Sequence, residues 1–533
     1  MKRLFIGCVA LMLMAVSVFA QNSSQNSKLD LAKLQRALYY INELYVDDVE
    51  QSKLVEDAIV GMLDKLDPHS TYTDVEETKE LTEPLQGNFD GIGIQFNMLT
   101  DTLYVIQVIS GGPSERAGLL PGDRIIMVND TLISGVKMKT NDVMKRLRGP
   151  KNTQVKVSVL RGENMTDYTI TRGKIPVYSI DAAYMLNKNV GYIKVNRFAG
   201  STMDEFKKAL ANLKAKGMKN LILDLQGNGG GYLGAAVGMA DEFLDANNLI
   251  VYTEGRKQPR DEARSTKSGD FKDGRLVVLV DEFSASASEI VSGAIQDLDR
   301  GLIIGRRTFG KGLVQKPIML PDGSMIRLTV SRYYTPSGRS IQRPYVKGEG
   351  EQYGKDLIER YNKGELISAD SIHFPDSMKY TTVNKQRIVY GGGGIMPDVF
   401  IPVDTARYTN YHRAIVASGI INRAVMNYVD VNRSQLKEKY PDFDAYKKDF
   451  NVPDQLMETL VGMASADSIK LDESQYEKSK KLIRLQLKAL IARDIFDMNA
   501  YYEIINEDNS ALKEALRIID DKKLYDNELS NRK

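Results

Sequence analysis

Between residues 190 and 305 the chain alternates unbroken apolar runs with helically spaced ones. VGYIKVNRF (Val190–Phe198), LILDLQ from Leu221 and RLVVLVD from Arg275 are continuous, as in strands covered on both faces. Leu302–Gly305 forms a further short run. Between the first two, Thr202–Lys216 predicts a helix. After RLVVLVD the residues Ile290, Val291, Ala294, Ile295 and Leu298 recur at helical spacing, which predicts a helix over about 287–298. Alternation of this kind over 175–404 argues for a βα-rich core with a partly parallel sheet. The flanks differ. Leu31, Leu34, Leu38, Ile41, Leu44, Leu54, Ala58, Ile59 and Met62 give residues 29–66 a helical period, which DPHSTY (Asp67–Tyr72) breaks. From 86 to 162 short strands take over, at GIGIQF, LYVIQVI, DRIIMVND and QVKVSVLRG, with glycine turns and one helix near Asn141–Leu147. Residues 343–387 are polar and charged and interrupt the core as an insertion, either a cover over a cleft or an exposed loop. From 405 to 533 the chain is helical and charged, with apolar spacing such as Leu482, Ile483, Leu485, Leu487, Leu490 and Ile491.

Composition narrows the classes. At 533 residues the chain needs several domains, and 42% hydrophobic content with interspersed charge describes a globular protein. Residues 1–20 carry Lys2 and Arg3, then an apolar run to Phe19 and Val-Phe-Ala before Gln21, the pattern of a secretory signal peptide cleaved near Ala20. An uncleaved anchor is the competing reading; the run is short for a span. The expected location is therefore extracytoplasmic, the periplasm. The formal charge of +2 includes those two basic residues, so the remainder is near neutral and nothing favours nucleic acid as a partner. The only cysteine, Cys8, lies in the leader, which leaves no disulfide or thiol chemistry for a mature chain. Three histidines, none beside a nucleophile motif, make a Ser–His–Asp triad improbable. No His/Cys/carboxylate spacing suits zinc, so neither a metal nor a cofactor is expected.

Candidate chemistry concentrates in DEFSASASEIVSGAIQD. Its serines sit where a helix begins, beside backbone N–H groups that can bind an oxyanion. A second glycine-rich strand–turn–helix, LILDLQGNGGGYLGAAVGMADEFL, supplies another such loop. Ser286-Ala-Ser-Glu289 equally fits a capping box, in which serine and glutamate close the helix end, and Lys311 alone is an ordinary surface charge.

Together, SASASEIVSGAIQD and RRTFGKGLVQ closely resemble the catalytic segment of the C-terminal processing peptidases, serine proteases with lysine as base. The resemblance implies Ser286 as nucleophile, Lys311 as base and Gln315 as the residue that orients it. Oxyanion donors would be the N–H of Ala287 and one from the glycine loop, taken as Gly230 with its neighbours 229 and 231 open. DLQGNGGG departs from the family at Gln226, where arginine is frequent. LDPHSTY, SRYYTPSGRSIQ and GGGGIMPD also match, so the resemblance covers about 30–404. SGGPSERAGLLPGDRIIMVND matches the core of a PDZ domain. Gly91, Ile92, Gly93 and Ile94 then stand where that fold binds a peptide carboxylate while the peptide adds a strand; Arg116 near the groove is read as a solvated charge.

The fold expected is mixed, α+β and multidomain. A signal peptide (1–20), an N-terminal helical region (29–85), an inserted PDZ domain (86–172), a crotonase- or ClpP-like βα protease core (173–404, with the insertion 343–387) and a helical C-terminal domain (405–533) follow one another. The expected function is an exported serine endopeptidase. Its partners would be proteins or peptides with a free C-terminus; a homodimer through the terminal helical regions and an adaptor or activator are further partners the resemblance implies. Lysine is normally protonated at neutral pH, so Lys311 must be kept neutral by apolar surroundings such as Phe309, Leu313 and Val314. Two rivals remain at this stage: a secreted PDZ scaffold in which Ser286 only caps a helix, and a crotonase-like hydrolase of small thioesters.

Overall fold

The computed structural model describes residues 28–99, 101–109 and 111–530; the signal-peptide reading of residues 1–20 lies outside them. The chain forms two compact units.

The smaller unit comprises Met1–Asp74, Pro317–Leu328 and Tyr345–Tyr353. Its helices span 28–44 and Gln51–Asp64, the division into two that the periodicity allowed. Leu29, Leu31, Leu34, Tyr40, Ile41 and Leu44 are all exposed on the first helix. DPHSTY ends the second helix because Asp67 accepts hydrogen bonds from the N–H groups of His69 and Ser70, at 2.9 and 3.0 Å, and from the Ser70 hydroxyl. The chain then enters the strand Thr71–Thr73, which pairs antiparallel with Met325–Arg327, and His69 Nε2 lies 3.0 Å from the Tyr353 hydroxyl.

The larger unit contains everything else, and its centre is a six-stranded sheet. In order across the sheet the strands are Ile180–Met185, Val190–Val195, Asn220–Asp224, Leu276–Val280, Leu302–Gly305 and Val399–Phe400. The first pair is antiparallel and the others parallel. The helices Thr202–Ala215, Leu233–Asp241 and Ala287–Asp297 pack on one face, burying Leu223, Val278 and Val280 against Phe206, Met239 and Val291. The other face buries Tyr192, Ile222, Val277 and Leu279 under Leu512, Ala515, Ile518 and Ile519 of the helix Ser510–Asp520. Double coverage is the physical reason the strand runs are apolar at every position. The C-terminal helical region therefore divides in two. Residues 410–505 form a bundle around their own core, while 510–530 complete the second layer of the sheet.

A six-stranded antiparallel domain over Ile94–Thr171, with the helix Thr140–Leu147, is inserted before the core. Asn88–Gly91 and Gly173–Pro176 pair antiparallel where the chain enters and leaves it. Its strand Ile94–Leu99 lies at the end of the sheet order. The next two strands, Thr102–Val108 and Arg124–Val128, rest on the C-terminal bundle through the hydrogen bond from Gln107 to the Arg493 carbonyl at 2.9 Å and the ion pair Arg124–Asp430 at 2.7 Å.

The insertion after Arg343 is neither a loose cover nor an exposed loop where it belongs to this unit. Arg343, Arg360, Thr382 and Arg387 are all buried. Arg387 pairs with Asp299 at 2.7 Å and with Asp398 at 2.5 Å. Buried guanidinium groups need carboxylate or carbonyl partners on the core, and supplying them ties the segment down.

Candidate active site

Two strand ends and one loop converge on Ser286. The strand Leu276–Val280 stops at Asp281, whose carboxylate accepts the N–H groups of Gly227, Phe283 and Ser284 at 2.9–3.1 Å. Burial raises the pKa of Asp281, while those amide bonds pull against the rise. The turn carries the chain into the buried helix Ala287–Asp297. Ser286, at its N-cap, has φ 55°, a left-handed conformation that a residue with a Cβ adopts only under local constraint. That strain projects the half-buried serine out of the turn, as in a nucleophile elbow.

The glycine loop after the neighbouring strand is sewn to this turn. Asn228 accepts the Ala285 N–H at 3.0 Å and the Ser288 hydroxyl at 2.8 Å on its carbonyl, and its side-chain amide donates to the Val195 carbonyl at 3.0 Å. Gly230 has φ 103°, and a Cβ there would stand 2.8 Å from the Ala285 carbonyl and 2.9 Å from Ser286 Cβ. Only glycine fits so close an approach. The Gly230 N–H donates to Asn228 Oδ1 at 2.9 Å, so in this conformation it is occupied and does not face an oxyanion. In this conformation Gly230 contributes its shape to the loop. At Gln226 the side chain accepts a hydrogen bond from Asn509 at 3.1 Å, and its carbonyl is bound by the buried Lys194 ammonium, which also pairs with Asp224 at 3.1 Å.

The residue that joins Ser286 to Lys311 is Glu289. Its Oε2 accepts the backbone N–H of Ser286 at 2.8 Å and of Lys311 at 2.9 Å. Its Oε1 accepts the Gly310 N–H at 2.7 Å and the Thr308 hydroxyl at 2.5 Å. Burial pushes the Glu289 carboxyl up to about 7, against the pull of these four bonds. Three of these donors are backbone N–H groups that cannot accept, and only the Thr308 hydroxyl could take a hydrogen bond from a protonated Glu289; Glu289 receives all four bonds when it carries its charge. Tyr333, buried, donates its hydroxyl to the Ser286 carbonyl at 3.2 Å, and its own N–H to the Gly312 carbonyl at 2.9 Å. Gln342 accepts the Gly312 N–H at 2.8 Å. The SRYYTPSGRSIQ segment thus grips both the serine turn and the lysine loop.

Lys311 is half-buried, next to buried Leu313 and half-buried Phe309 and Val314. The Gln315 amide donates to the Thr329 hydroxyl at 3.1 Å, so its bond in this structure goes to Thr329. Ala287 is buried at the first turn of the nucleophile helix. Gly91, Ile92, Gly93 and Ile94 line a cavity of about 290 Å³ in the inserted domain, with Phe89 and Phe96 beside them and Met144, Leu147 and Arg148 opposite. The Ile92 carbonyl accepts from Ser114 N–H and hydroxyl, and the Gly93 carbonyl from Ile109 N–H. Arg116 lies outside this lining and donates to the Gly111 carbonyl. Sequence reasoning singled out neither Thr308, Tyr333 nor Asn228, and it took Glu289 only as a cap. Among the described residues no group of three or more His, Cys, Asp or Glu side chains could hold a metal.

Comparison with known proteins assigns segments of the chain to families. Residues 189–349 match peptidase family S41 and residues 91–171 a PDZ domain. Residues 12–78 match the N-terminal domain of the activating protease CtpB, and 411–497 a family of unknown function. A carboxy-terminal-processing protease of Bartonella bacilliformis is 37% identical over 340 residues, 62% of this chain and 77% of the relative. The carboxy-terminal processing protease CtpA of Bacillus subtilis is 34% identical over 359 residues, covering 66% of this chain and 76% of the relative. Among solved structures, a photosystem II D1 C-terminal processing protease aligns at 30% identity and TM-score 0.33, covering 58% of this chain and 89% of that one. On its sequence relatives and its S41 and PDZ segments, the chain belongs to the C-terminal processing peptidases and is a serine-type endopeptidase.

Proposed function

We propose that this peptidase hydrolyses peptide bonds with a Ser286–Lys311 dyad and selects substrates by the C-terminal end that its PDZ domain holds. One observation carries the reading: a single buried carboxylate, Glu289, binds the backbone of both Ser286 and Lys311. Neutral Lys311 takes the proton of the Ser286 hydroxyl as the oxygen attacks the scissile carbonyl. The tetrahedral oxyanion is met by the Ala287 N–H and by an amide of the 229–231 loop. Lysine then returns the proton to the leaving amine, and water hydrolyses the acyl-enzyme by the same path in reverse. Gln315 and Thr329 form the polar pair beside the lysine strand. In the groove a substrate C-terminus adds a strand to Ile94–Leu99, with its carboxylate on the Gly91–Ile94 loop, whose carbonyls are held by Ser114 and Ile109.

Export to the periplasm, with cleavage near Ala20, is part of the proposal. So is a homodimer through the helix 28–44: a row of exposed leucines and tyrosines is costly to leave in water. The match to the N-terminal domain of an activating protease supports a partner or activator at the same end.

The test compares the protein with Ser286→Ala and Lys311→Ala on an unfolded protein carrying a free apolar C-terminus. Cleavage by the parent alone supports the dyad. Equal cleavage by all three refutes it, and labelling of Ser286 by a fluorophosphonate in an otherwise silent protein points to latency rather than to a scaffold.

A further inference from the structure

The lysine-bearing loop is held from two sides, and one side belongs to the insertion. On its inner side Glu289 binds Thr308, Gly310 and Lys311, and the Ser284 carbonyl accepts the Phe309 N–H at 3.0 Å. On its outer side the contacts come from residues after Arg343. Arg360, on the helix Asp356–Asn362 and only 3% exposed, donates to the Thr308 carbonyl at 3.1 Å and to the Arg307 carbonyl at 2.6 Å. The Arg343 N–H donates to the Gly310 carbonyl at 3.0 Å, and its guanidinium lies 4.0 Å over the Phe309 ring while pairing with Asp356. Glu365 holds the Arg307 guanidinium at 2.5 Å and lies 3.7 Å from Arg360.

We propose that Arg360 is a positioning residue for the base, and that the insertion is thereby a working part of the active site. This rests on Lys311 being that base. The fork of a guanidinium can reach two successive carbonyls at once, which an ammonium cannot. The Thr308 carbonyl is buried and the Arg307 carbonyl half-buried, and without the guanidinium each would have to turn toward water. The loop can do so only by moving outward, and Lys311 follows Thr308 by three residues. Loss of Arg360 therefore shifts Lys311 relative to Ser286 without touching substrate. Reaction geometry is sensitive to displacements of about 1 Å, which can change a rate by about a hundredfold.

The closing experiment uses the full chain with Arg360→Gln and Arg360→Lys, each active-site titrated and each checked for its melting temperature. Ser286→Ala and Lys311→Ala are the controls. Arg360→Gln is expected to lower kcat by about ten- to a hundredfold with KM within about threefold and to displace the pH–rate limb that reports the base. Arg360→Lys, which keeps the charge and one of the two bonds, should recover part of kcat. The charges around that loop are Glu289 on the helix Ala287–Asp297, Arg306 with Glu282, Arg307 with Glu365, Arg343 with Asp356, and Arg360 itself, 3.7 Å from Glu365; Arg360→Gln removes that last cation and Arg360→Lys keeps it, so the lysine variant separates a charge effect on the pH limb from a positional one. A titrated kcat and pH profile equal to the parent's would overturn the inference. So would a loss of activity that follows only the fraction of folded protein. Activity surviving in Lys311→Ala would overturn the dyad, and this inference with it, and is distinguishable because the controls read it separately.

Discussion

Glu289→Gln is the sharpest perturbation of this site, because it keeps the shape and removes the property the site uses. The carboxylate accepts four hydrogen bonds and donates none. An amide replaces one oxygen with two N–H donors. Turned toward Ser286 and Lys311, its NH2 faces two backbone N–H donors; turned the other way it faces the Gly310 N–H, while the Thr308 hydroxyl can accept from it. One or two buried donors are then left unsatisfied, at about 1–3 kcal/mol each. Against this, the variant no longer buries a charge. The carboxyl is held up to about 7 from 4.5, which corresponds to about 3 kcal/mol of ionisation penalty above neutrality. The two effects oppose each other in global stability, so the melting temperature should move by only a few degrees at pH 8.

They do not oppose each other in catalysis. The lost bonds fix the backbone of the proposed nucleophile or of the loop that carries the proposed base, and about 1–3 kcal/mol of lost positioning is about one to two decades in kcat. The assay is kcat on active-site-titrated protein at pH 8 alongside a thermal melt. A variant with kcat within about threefold of the parent, a difference of under 1 kcal/mol, would refute the claim that this carboxylate assembles the site.

The remaining predictions share this logic. Glu289 stays protonated in the folded protein up to about 7, while the unfolded chain ionises near 4.5, so folded protein binds more protons across that window. Stability should fall as pH rises from about 4.5 to 7, by about 3 kcal/mol from this group, and be level beyond it. Burial raises Asp281 and Asp494 as well, so the quantity to plot is the parent minus Glu289→Gln difference in melting free energy; a flat difference contradicts the reasoning. Gly230→Ala places a Cβ 2.8 Å from the Ala285 carbonyl at φ 103°, and kcat/KM should drop more than about a hundredfold, about 3 kcal/mol of misplacement, with fluorophosphonate labelling slowed in parallel. Tyr333→Phe removes one hydrogen bond to the Ser286 carbonyl, for an expected three- to tenfold loss in kcat, about 0.5–1.5 kcal/mol, at nearly unchanged KM. For the groove, anisotropy on Ser286→Ala protein should show a peptide with a free apolar C-terminus binding at least about tenfold tighter than its C-terminal amide, the difference of one charge-assisted carboxylate contact; equal affinities would remove the Gly91–Ile94 loop from recognition.

What could be read from sequence follows from how local the signal is. The sheet strands were visible because both faces are covered, so every position is apolar. The nucleophile helix was visible because its apolar spacing follows immediately on a strand. The role of Glu289 was half visible: its spacing from Ser286 announced a cap, but its bonds to Thr308, Gly310 and Lys311 span 19 to 22 residues and leave no periodic trace. Arg360 was invisible for the same reason. A buried arginine in a polar stretch looks like solvent-exposed charge until the carbonyls it binds, more than 50 residues earlier, are located. The glycine loop shows a different limit. Sequence identified the loop, but the donor at Gly230 depended on which amide Asn228 takes, a matter of side-chain rotamer.

The opposition between a capping box and a catalytic serine dissolves at this site. A helix cap requires a carboxylate three residues on that returns to the N-cap amide, and Glu289 does this for Ser286. Because the same carboxylate has three further lone-pair directions, it can bind a second loop without giving up the cap. That second loop is the one with Lys311. A mere cap would be satisfied at a solvent-exposed helix end, where Glu289 would need no burial. Instead it is fully enclosed, at a desolvation penalty that raises its pKa toward neutrality. Enclosure makes the cap expensive and ties the backbone of Ser286 and of Lys311 to one rigid carboxylate, which is the property the proposed dyad requires.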